Sequence, residues 1–389
     1  MDAGHVLPGI AAQQEEMISL RQRIHAHPEL GFEEFATSAL VAQCLSQWGY
    51  DVSTGVGRTG VVATLRNGVG RSIGLRADMD ALPIQETTGL PYASRVDGVM
   101  HACGHDGHTA TLLAAARHLA HTRDFNGTVQ LIFQPAEEGL GGARTMLEDG
   151  LLERFPCDAV FAMHNVPGYP AGQLGFYSGP FMASADTVTI KVIGTGGHGA
   201  VPHKAVDPVV VCASIVIALQ SIVSRNVSPQ EMAIITVGSI HAGSASNVIP
   251  ESAEMSLSVR ALTPEVRGLL ERRITDLVQG QAASFGARAD IDYQHCHPVL
   301  INDPEQTAFA RQVAQDWLGA GHLIDDLRPF TASEDFAFIL QQCPGSYLVI
   351  GNGLGDNGCL LHNPGYDFND ACLPIGASYW VKLVEGFLR

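Results

Sequence analysis

Basic residues are scarce in this sequence, which has 23 lysines and arginines against 40 aspartates and glutamates. The resulting formal net charge of −17 at pH 7 disfavours nucleic acids and anionic membrane surfaces as partners, because both attract basic patches. Hydrophobic residues make up 46% of the chain, so material for a buried core is plentiful. The excess of carboxylates suits a protein that holds divalent cations, although most acidic proteins bind none.

Long apolar segments and paired cysteines are also missing. The longest mainly apolar run, Val209 to Leu219, is too short to span a bilayer and follows Asp207 and Pro208. The first 30 residues contain no stretch that resembles a signal-peptide core. The eight cysteines are scattered and include no Cys-x-x-Cys pair, a pattern typical of reduced thiols. We therefore expect a cytoplasmic protein that does not associate with membranes.

Two common motifs are absent: the nucleotide-binding motif G-x-x-x-x-G-K-[ST] and the protease motif H-E-x-x-H. Three stretches, 55–60, 194–199 and 353–358, do match the dinucleotide-binding pattern G-x-G-x-x-G. The first leads into a predicted strand and the third into a proline-containing segment. The second lies too far before its helix and has no acidic residue about 20 positions on, which a ribose contact would need. These glycines therefore do not predict a Rossmann site.

The length of 389 residues exceeds that of an ordinary single domain. Up to about residue 180, strands predicted at 61–65, 73–77, 128–133 and 159–163 alternate with helices. This alternation favours a mostly parallel sheet that is covered by helices on both faces. It resumes after residue 298, with helices predicted near 306–317, 334–340 and 377–388.

The pattern between residues 184 and 296 is different. Strands predicted at 187–193, 233–240, 254–261 and 289–293, with helices from Pro208 and from Pro264, follow the order β-α-β-β-α-β. That order is typical of the ferredoxin-like fold. We therefore expect an α/β domain, formed by residues 1–183 and 297–389, that is interrupted by a smaller α+β domain at 184–296.

Residues 100–108 read M-H-A-C-G-H-D-G-H and place three histidines, a cysteine and an aspartate within nine positions. Thiolate, imidazole and carboxylate groups bind zinc, manganese, nickel or cobalt. The segment precedes a predicted helix, so Cys103 and its neighbours can converge on one point. A polar turn is the alternative interpretation, which the density of ligand-type side chains disfavours.

Further candidate side chains follow predicted strands. Glu137 and Glu138 come after one strand, Asp78 and Asp80 end another, and His164 ends a third. Open α/β sheets bind ligands at the carboxyl ends of their strands. One of the adjacent glutamates could coordinate a metal while the other accepts a proton from water, although a solvated acidic loop is the alternative. The aspartates could ligate a metal directly or hold a ligating imidazole in its tautomer, and we favour the second role for at least one of them.

Several motifs occur together in a characteristic order. They are R-I-H-A-H-P-E-L at 23–30, M-H-A-C-G-H-D-G-H, Q-P-A-E-E-G at 134–139, the strand-end His164, G-G-H-G-A-V-P-H at 196–203, S-N-V-I-P at 246–250, S-E-D-F at 333–336 and the late His362. With them the chain resembles the dinuclear-metal aminoacylase and carboxypeptidase family. The resemblance is to its branch of hippurate hydrolases, N-acyl-L-amino acid amidohydrolases and auxin–amino acid conjugate hydrolases, and it covers nearly the whole chain.

This resemblance implies two divalent metal ions per subunit, zinc, manganese, nickel or cobalt. Their implied ligands are Cys103, His105, Glu138, His164 and His362. Glu137 would be the general base, while Asn247 and Arg260 would hold the carboxylate of the substrate. His198 would stabilise the oxyanion in the active site of the other subunit of a homodimer. The larger domain would then be catalytic, and the smaller one would serve as lid and dimerisation domain.

The implied reaction is hydrolysis of the amide bond of an N-acyl-amino acid to a carboxylic acid and a free amino acid. Two alternatives stay open. A dipeptidase or carboxypeptidase of the same family would share every ligand, and a non-catalytic metal-binding protein would keep the ligands but lose the base. The presence of Glu137 disfavours the second alternative.

Overall fold

The computed structural model describes residues 5–354 and 359–389, so most of the third glycine pattern, 353–358, lies outside the described residues. The chain divides into two compact units. The first unit comprises Met1–Gly179, Ile301–Arg328 and Asp335–Arg389. The second unit comprises Pro180–Leu300 and Pro329–Glu334. An insertion therefore separates the two main parts of the first unit in the sequence.

The helices and strands are numbered in chain order. The helices are α1 (Pro8–Ala11), α2 (Gln14–His25), α3 (Phe35–Gln47), α4 (His105–Thr122), α5 (Gly142–Glu148), α6 (Leu151–Arg154), α7 (Pro208–Asn226), α8 (Pro264–Ser284), α9 (Pro304–Leu318), α10 (Ala337–Leu340) and α11 (Leu373–Phe387). The strands are β1 (Asp51–Val56), β2 (Gly60–Asn67), β3 (Ser72–Asp78), β4 (Gly127–Gln134), β5 (Ala159–Val166), β6 (Leu174–Gly175), β7 (Gly179–Met182), β8 (Ser184–Ile193), β9 (Gly197–His198), β10 (Ala233–Ala242), β11 (Val248–Ile249), β12 (Ser252–Ala261), β13 (Arg288–His297), β14 (Leu300–Asn302), β15 (Leu323–Ile324) and β16 (Gly345–Gly351).

The first unit is built on one sheet with the strand order β1-β2-β4-β3-β5-β16-β6-β15. The central strands β4, β3, β5 and β16 run parallel to one another. The pairs β1–β2, β2–β4 and β16–β6 are antiparallel. Strands β3 and β5 are almost entirely buried, as expected for parallel strands covered by helices such as α4 and α11. The predicted α/β class is confirmed, with antiparallel strands added toward the edges.

The parallel strands bring their carboxyl ends to one edge of the sheet, which positions the candidate side chains. Asp78 is the last residue of β3, Gln134 the last of β4, and His164 lies near the end of β5. Helix α4 begins at His105, directly after Gly104, which has a φ of 91°. A side chain at Gly104 would be strained in this left-handed conformation, and its Cβ would lie 2.5 Å from Asn165 Oδ1.

The second unit has the predicted β-α-β-β-α-β order, formed by β8, α7, β10, β12, α8 and β13. Its strands form an antiparallel sheet in the order β10-β12-β8-β13, which is the ferredoxin-like arrangement. The predicted cap of α7 is present, since the Asp207 side chain accepts a hydrogen bond from the Val209 N–H and Pro208 is the first helical residue. The smaller α+β fold is therefore confirmed.

Two helices differ in extent from the sequence-based expectation. Helix α7 spans 19 residues and is long and apolar enough to cross a membrane by length and composition only, whereas its apolar run was expected to be too short to do so. Its buried residues, including Ile215 and Leu219, belong to the core of the second unit, and core helices of soluble proteins pass the same test. The helix predicted at 334–340 is limited to Ala337–Leu340. The Asp335 carboxylate is instead held by the N–H of Ala143.

A buried ionic cluster joins both ends of the chain within the first unit. The side chain of Arg21 in α2 is fully buried and contacts Asp106 at 3.2 Å, Asp367 at 2.7 Å and Asp370 at 2.8 Å. His25, one turn further along α2, lies 2.8 Å from Asp106. Burial lowers the pKa of His25, but the negative charge of Asp106 outweighs it and raises this pKa to about 9. Asp106 is therefore matched by two cationic groups.

We expect Arg21→Met to destabilise the first unit strongly, because Asp106 stays buried and keeps only one of its two cationic partners, His25. Breaking one side of a buried ion pair typically costs about 3–5 kcal/mol of unfolding free energy. Arg23→Met is the matched control, since Arg23 lies on the same helix and is exposed. Urea unfolding of both variants measures the difference, and equal midpoints would show that the cluster contributes no net stability.

Candidate metal centre

The imidazole of His105, one of the candidate ligands, is oriented by a hydrogen bond to an aspartate. His105 Nδ1 lies 3.1 Å from Asp80 Oδ1, which fixes the proton on Nδ1 and leaves Nε2 as the coordinating atom. The other oxygen of Asp80 accepts the backbone N–H of Glu138 at 2.9 Å. Among the described residues, the buried Nε2 of His105 has no hydrogen-bond partner. One carboxylate thus positions two candidate ligands.

His164 and Cys103 face each other. The Nδ1 of His164 lies 2.7 Å from the carbonyl oxygen of Asn165 and donates to it, so that Nε2 carries the lone pair. This Nε2 lies 3.4 Å from Cys103 Sγ. Burial lowers the pKa of His164 well below its usual range, which keeps the imidazole neutral as a metal ligand requires.

Glu138 and His362 form the other side of the cluster. His362 Nε2 lies 3.1 Å from Glu138 Oε1, and the His362 backbone N–H donates to the carbonyl of Ala102 at 2.8 Å. The φ of His362 is 65°, a left-handed conformation that a residue with a side chain adopts at an energetic cost. Backbone strain of this kind is commonly found at functional sites.

These five side chains form two groups that share one cysteine. Cys103, His105 and His164 have ligand atoms within 4.8 Å of one another, and so do Cys103, Glu138 and His362. The buried Nε2 of His105 lacks a hydrogen bond among the described residues, as expected of an atom that coordinates a cation. The thiolate, imidazole and carboxylate donors fit a pair of divalent metal ions.

The protonation of this cluster is strongly perturbed. Burial raises the pKa of the Cys103 thiol. Hydrogen bonds to Cys103 and Glu138 raise the pKa of His362 to about 10, despite the opposing effect of burial. Burial alone would lower the pKa of His105, but the charge of Asp78 outweighs it and the pKa is raised. Protons therefore occupy groups that a metal ion would have to deprotonate, so metal binding should release protons.

Further polar side chains behind the candidate ligands support the cluster, and among them the sequence patterns had singled out only Asp78. His108 Nδ1 lies 2.6 Å from Asp78 Oδ1, and its Nε2 lies 2.5 Å from Asn165 Oδ1. Asn165 in turn donates to the hydroxyl of Tyr366. Asp78 also contacts the buried Arg76 at 2.7 Å. His108 and Asn165 do lie beside proposed ligands in the motifs, whereas nothing in the sequence singles out Tyr366.

Two positive neighbours determine the charge state of Asp78. Burial by itself would raise the pKa of Asp78, but the charges of His105 and Arg76 hold it well below its usual range. Asp78 therefore stays ionised, hydrogen-bonded to His108 and Arg76, while Asp80 contacts His105 at the shorter distance. The two aspartates thus contact different partners.

Glu137 is buried beside the candidate ligands. Its carboxylate lies with His105 and Glu138 in a third group whose ligand atoms are within 4.8 Å of one another. One of its oxygens accepts the backbone N–H of Asp335 at 3.4 Å. A carboxylate in this place is close enough to the candidate metal ligands to exchange a proton with a water molecule held there.

The remaining three predicted site residues lie in the second unit. His198 in β9 is paired with Val248 in β11, and the carbonyl of Asn247 accepts the N–H of Gly199 at 2.8 Å. His198 and Asn247 are therefore exposed neighbours at one two-stranded antiparallel sheet, whose strands are far apart in the sequence. Arg260 lies in β12, and its Nη1 donates to the Ser333 hydroxyl at 3.0 Å.

Residues 74–386 match the profile of peptidase family M20/M25/M40. The chain belongs to this family. Among curated relatives, a hippurate hydrolase of Campylobacter jejuni is 46% identical over 99% of this chain and 100% of its own length. An N-acetyl-L-cysteine deacetylase of Bacillus subtilis is 40% identical over 96% of this chain and 88% of its own length.

A solved structure agrees with this assignment. The Bacillus subtilis YXEP protein, described as a dinuclear metal binding peptidase from the M20 family, is similar with a TM-score of 0.85 and 34% identity. The similarity covers 96% of this chain and 98% of that protein. The predicted family, and the predicted class of metal-dependent amide hydrolase, are confirmed.

In this M20 chain, we expect Cys103 to bind metal as a thiolate. Cobalt(II)-loaded protein should then show a sulfur-to-metal charge-transfer absorption, which Cys103→Ser should abolish together with part of the bound metal. Cys44→Ser is the matched control, because Cys44 is a half-buried free thiol on α3. An unchanged spectrum and full metal content in Cys103→Ser would remove this residue from the ligand set.

Proposed function

We propose that this M20 chain hydrolyses the amide bond of an N-acyl-amino acid and releases a carboxylic acid and a free amino acid. The observation that carries the proposal is a buried carboxylate, Glu137, within 4.8 Å of two candidate metal ligands, His105 and Glu138. A base beside a metal-ligand cluster is what hydrolysis requires and what a storage or sensor site does not. The names of the two curated relatives support an N-acyl-amino acid as substrate.

Two groups of side chains would hold two divalent metal ions. Cys103, His105 and His164 form one group, and Cys103, Glu138 and His362 form the other. When bound, such ions supply positive charge that polarises the amide carbonyl and makes water more acidic. Zinc, manganese, nickel and cobalt all suit this set of donors.

Glu137 would move the proton. Its carboxylate accepts a proton from the attacking water, whose oxygen forms the new bond to the carbonyl carbon. As the C–N bond breaks, Glu137 delivers that proton to the leaving nitrogen, which departs as the amine. The carboxylate begins and ends the cycle ionised, so no further acid or base is needed.

The second unit would supply groups that bind the rest of the substrate. The N–H of Ala200 donates to His198 Nδ1 at 3.0 Å, so a neutral His198 carries its proton on Nε2 and can donate it to an oxyanion. Arg260 has the planar guanidinium that binds carboxylates through paired hydrogen bonds, and Asn247 could add an amide donor. We further propose that the protein is a cytoplasmic homodimer in which His198 serves the site of the partner subunit.

We expect metal-loaded protein to release glycine from benzoyl-glycine and amino acids from their N-acetyl derivatives, and to cleave unblocked dipeptides much more slowly. In Glu137→Gln, turnover should fall by about 100-fold to 10,000-fold, because the amide cannot accept the proton. Amine release measured by a ninhydrin-type assay, together with metal analysis of the same samples, tests both statements.

The control for this assay is Glu148→Gln, an exposed carboxamide substitution in α5, which should change neither metal content nor turnover. Faster cleavage of dipeptides than of N-acyl-amino acids would favour the dipeptidase alternative. Near-normal turnover in Glu137→Gln would contradict its role as the base.

Mixing two inactive variants tests whether His198 acts across a dimer. In a heterodimer of His198→Ala and Glu137→Gln subunits, one composite site would contain both wild-type residues. Statistical exchange should then restore about a quarter of the wild-type activity per subunit. Steady-state activity is measured after the subunits have been exchanged.

Exchange is verified separately, by native mass spectrometry of differently tagged subunits. Activity at the parental level in a sample that contains heterodimers would show that His198 does not act in trans. A protein that is monomeric at assay concentration would contradict the homodimer itself.

A further inference from the structure

A buried glutamate outside the candidate ligand set contacts the segment that carries Glu137. Glu34 is fully buried, and its Oε1 accepts the backbone N–H of Ala136 at 2.8 Å. Its other oxygen, Oε2, accepts the Thr59 hydroxyl at 2.5 Å. Ala136 directly precedes Glu137, so the Glu34 side chain reaches the peptide immediately before the proposed base.

The position of Glu34 in the fold does not otherwise require a buried carboxylate. Glu34 lies just before α3, where an acidic side chain could cap the helix, but it forms no capping hydrogen bond. Glu29 does so instead, accepting the N–H groups of Ala36 at 2.9 Å and Thr37 at 2.8 Å. The Glu34 carboxylate is therefore directed at the Ala136 segment and away from its own helix.

Ala136 adopts a conformation that needs such support. Its φ is 53°, in the left-handed region that is unfavourable for a residue with a Cβ. The carbonyl of Ala136 accepts the N–H of Gly142 at 2.9 Å, so both polar groups of this residue are hydrogen-bonded. The segment before Glu34 packs closely against Ala136, since a Cβ at Gly31 would lie 3.1 Å from Ala136 Cα.

We propose that Glu34 is a positioning residue, whose side chain holds Ala136 in its left-handed conformation and thereby sets the direction of the Glu137 carboxylate. This inference rests on the proposed role of Glu137 as the base. The effect would act through geometry: the Ala136 N–H needs an acceptor at this point, and Thr59 fixes the orientation of that acceptor. Displacement of a reacting group by about 1 Å can cost roughly 100-fold in rate.

Two substitutions of Glu34 separate geometry from charge. Glu34→Gln keeps the length of the side chain: its oxygen can accept from Ala136 while its amide donates to the Thr59 hydroxyl. Glu34→Asp keeps the carboxylate but is one methylene shorter, so it cannot reach both partners. Burial raises the pKa of Glu34, which agrees with a site that a neutral amide can fill. The same two substitutions at the exposed Glu33 are the matched controls.

We expect kcat to fall by about tenfold to 100-fold in Glu34→Asp, with KM changed by less than about twofold and metal content unchanged. In Glu34→Gln the loss of kcat should be at most about threefold, and both Glu33 variants should match the wild type. If Glu34 contributed only to stability, its substitutions would lower the amount of folded enzyme, but kcat per folded molecule would not fall more in Glu34→Asp than in Glu34→Gln.

Hydrogen exchange of the metal-free protein gives a readout that is independent of catalysis. The amides of residues 135–142 should exchange faster in Glu34→Asp than in the wild type, and at nearly the wild-type rate in Glu34→Gln. If Glu34→Asp does not fold, Thr59→Val replaces it, because it removes the hydroxyl that orients the carboxylate. It should give the same faster exchange and a loss of kcat at constant KM.

The outcomes distinguish this inference from the proposed function. A larger kcat loss in Glu34→Gln than in Glu34→Asp, or unchanged exchange in Glu34→Asp or its substitute, would overturn the positioning role even if Glu137→Gln is inactive. An active Glu137→Gln variant would instead contradict the proposed base. In that case the exchange measurement still decides whether Glu34 holds the Ala136 segment.

Discussion

Carboxylates buried in the first unit must be matched by cations or by N–H and O–H donors, because an unpaired buried charge is strongly unfavourable. Asp106 is matched by Arg21 and His25, and Asp78 by Arg76 and His108. These partners come from an N-terminal helix, from β3 and from α4, which are far apart in the sequence. The pairing requirement thus sets how the ends of the central strands and the start of α4 lie relative to one another.

Hydrogen bonds in the same part of the fold orient the candidate ligands. Asp80 contacts the imidazole of His105 and the backbone of Glu138, while the carbonyl of Asn165 fixes the tautomer of His164. Ligands held in this way lose little further freedom when they bind a metal ion, which favours tight and selective coordination. His362 differs from them, because its side chain is about half exposed and its backbone is strained.

The two units divide the candidate residues by chemical type. Thiolate, imidazole and carboxylate groups that can bind metal lie in the first unit, near the end of β5, at the start of α4 and in the segments that follow β4 and β16. The second unit offers hydrogen-bond donors, His198 and Asn247 at a short antiparallel strand pair and Arg260 on a longer antiparallel strand. A rigid buried sheet suits groups that must stay at short mutual distances, whereas exposed residues beside a short strand pair present donors to a ligand.

Patterns that act over a few residues could be predicted from the sequence. The buried strands, the β-α-β-β-α-β order and the Asp207 cap were predicted correctly because hydrophobic periodicity and capping are local properties. The ligand types in residues 100–108 and at Glu137 and Glu138 were visible for the same reason, whereas His362 was suggested only by the family resemblance. The helix predicted at 334–340 is shorter than expected, and the contact of the Asp335 carboxylate with the distant N–H of Ala143 is not visible in the local pattern.

The family, the fold of each unit and the kinds of side chain available for metal binding and proton transfer follow from the amino-acid sequence alone. Which of these side chains come together depends on the packing of the folded chain: Cys103 with both candidate ligand groups, Asp80 with two candidate ligands, and Glu34 with the peptide before Glu137. Each of these contacts joins residues from different strands or helices. Hydrogen bonds and ion pairs depend on distances of about 3 Å, and such distances between remote segments are set by packing of the whole unit.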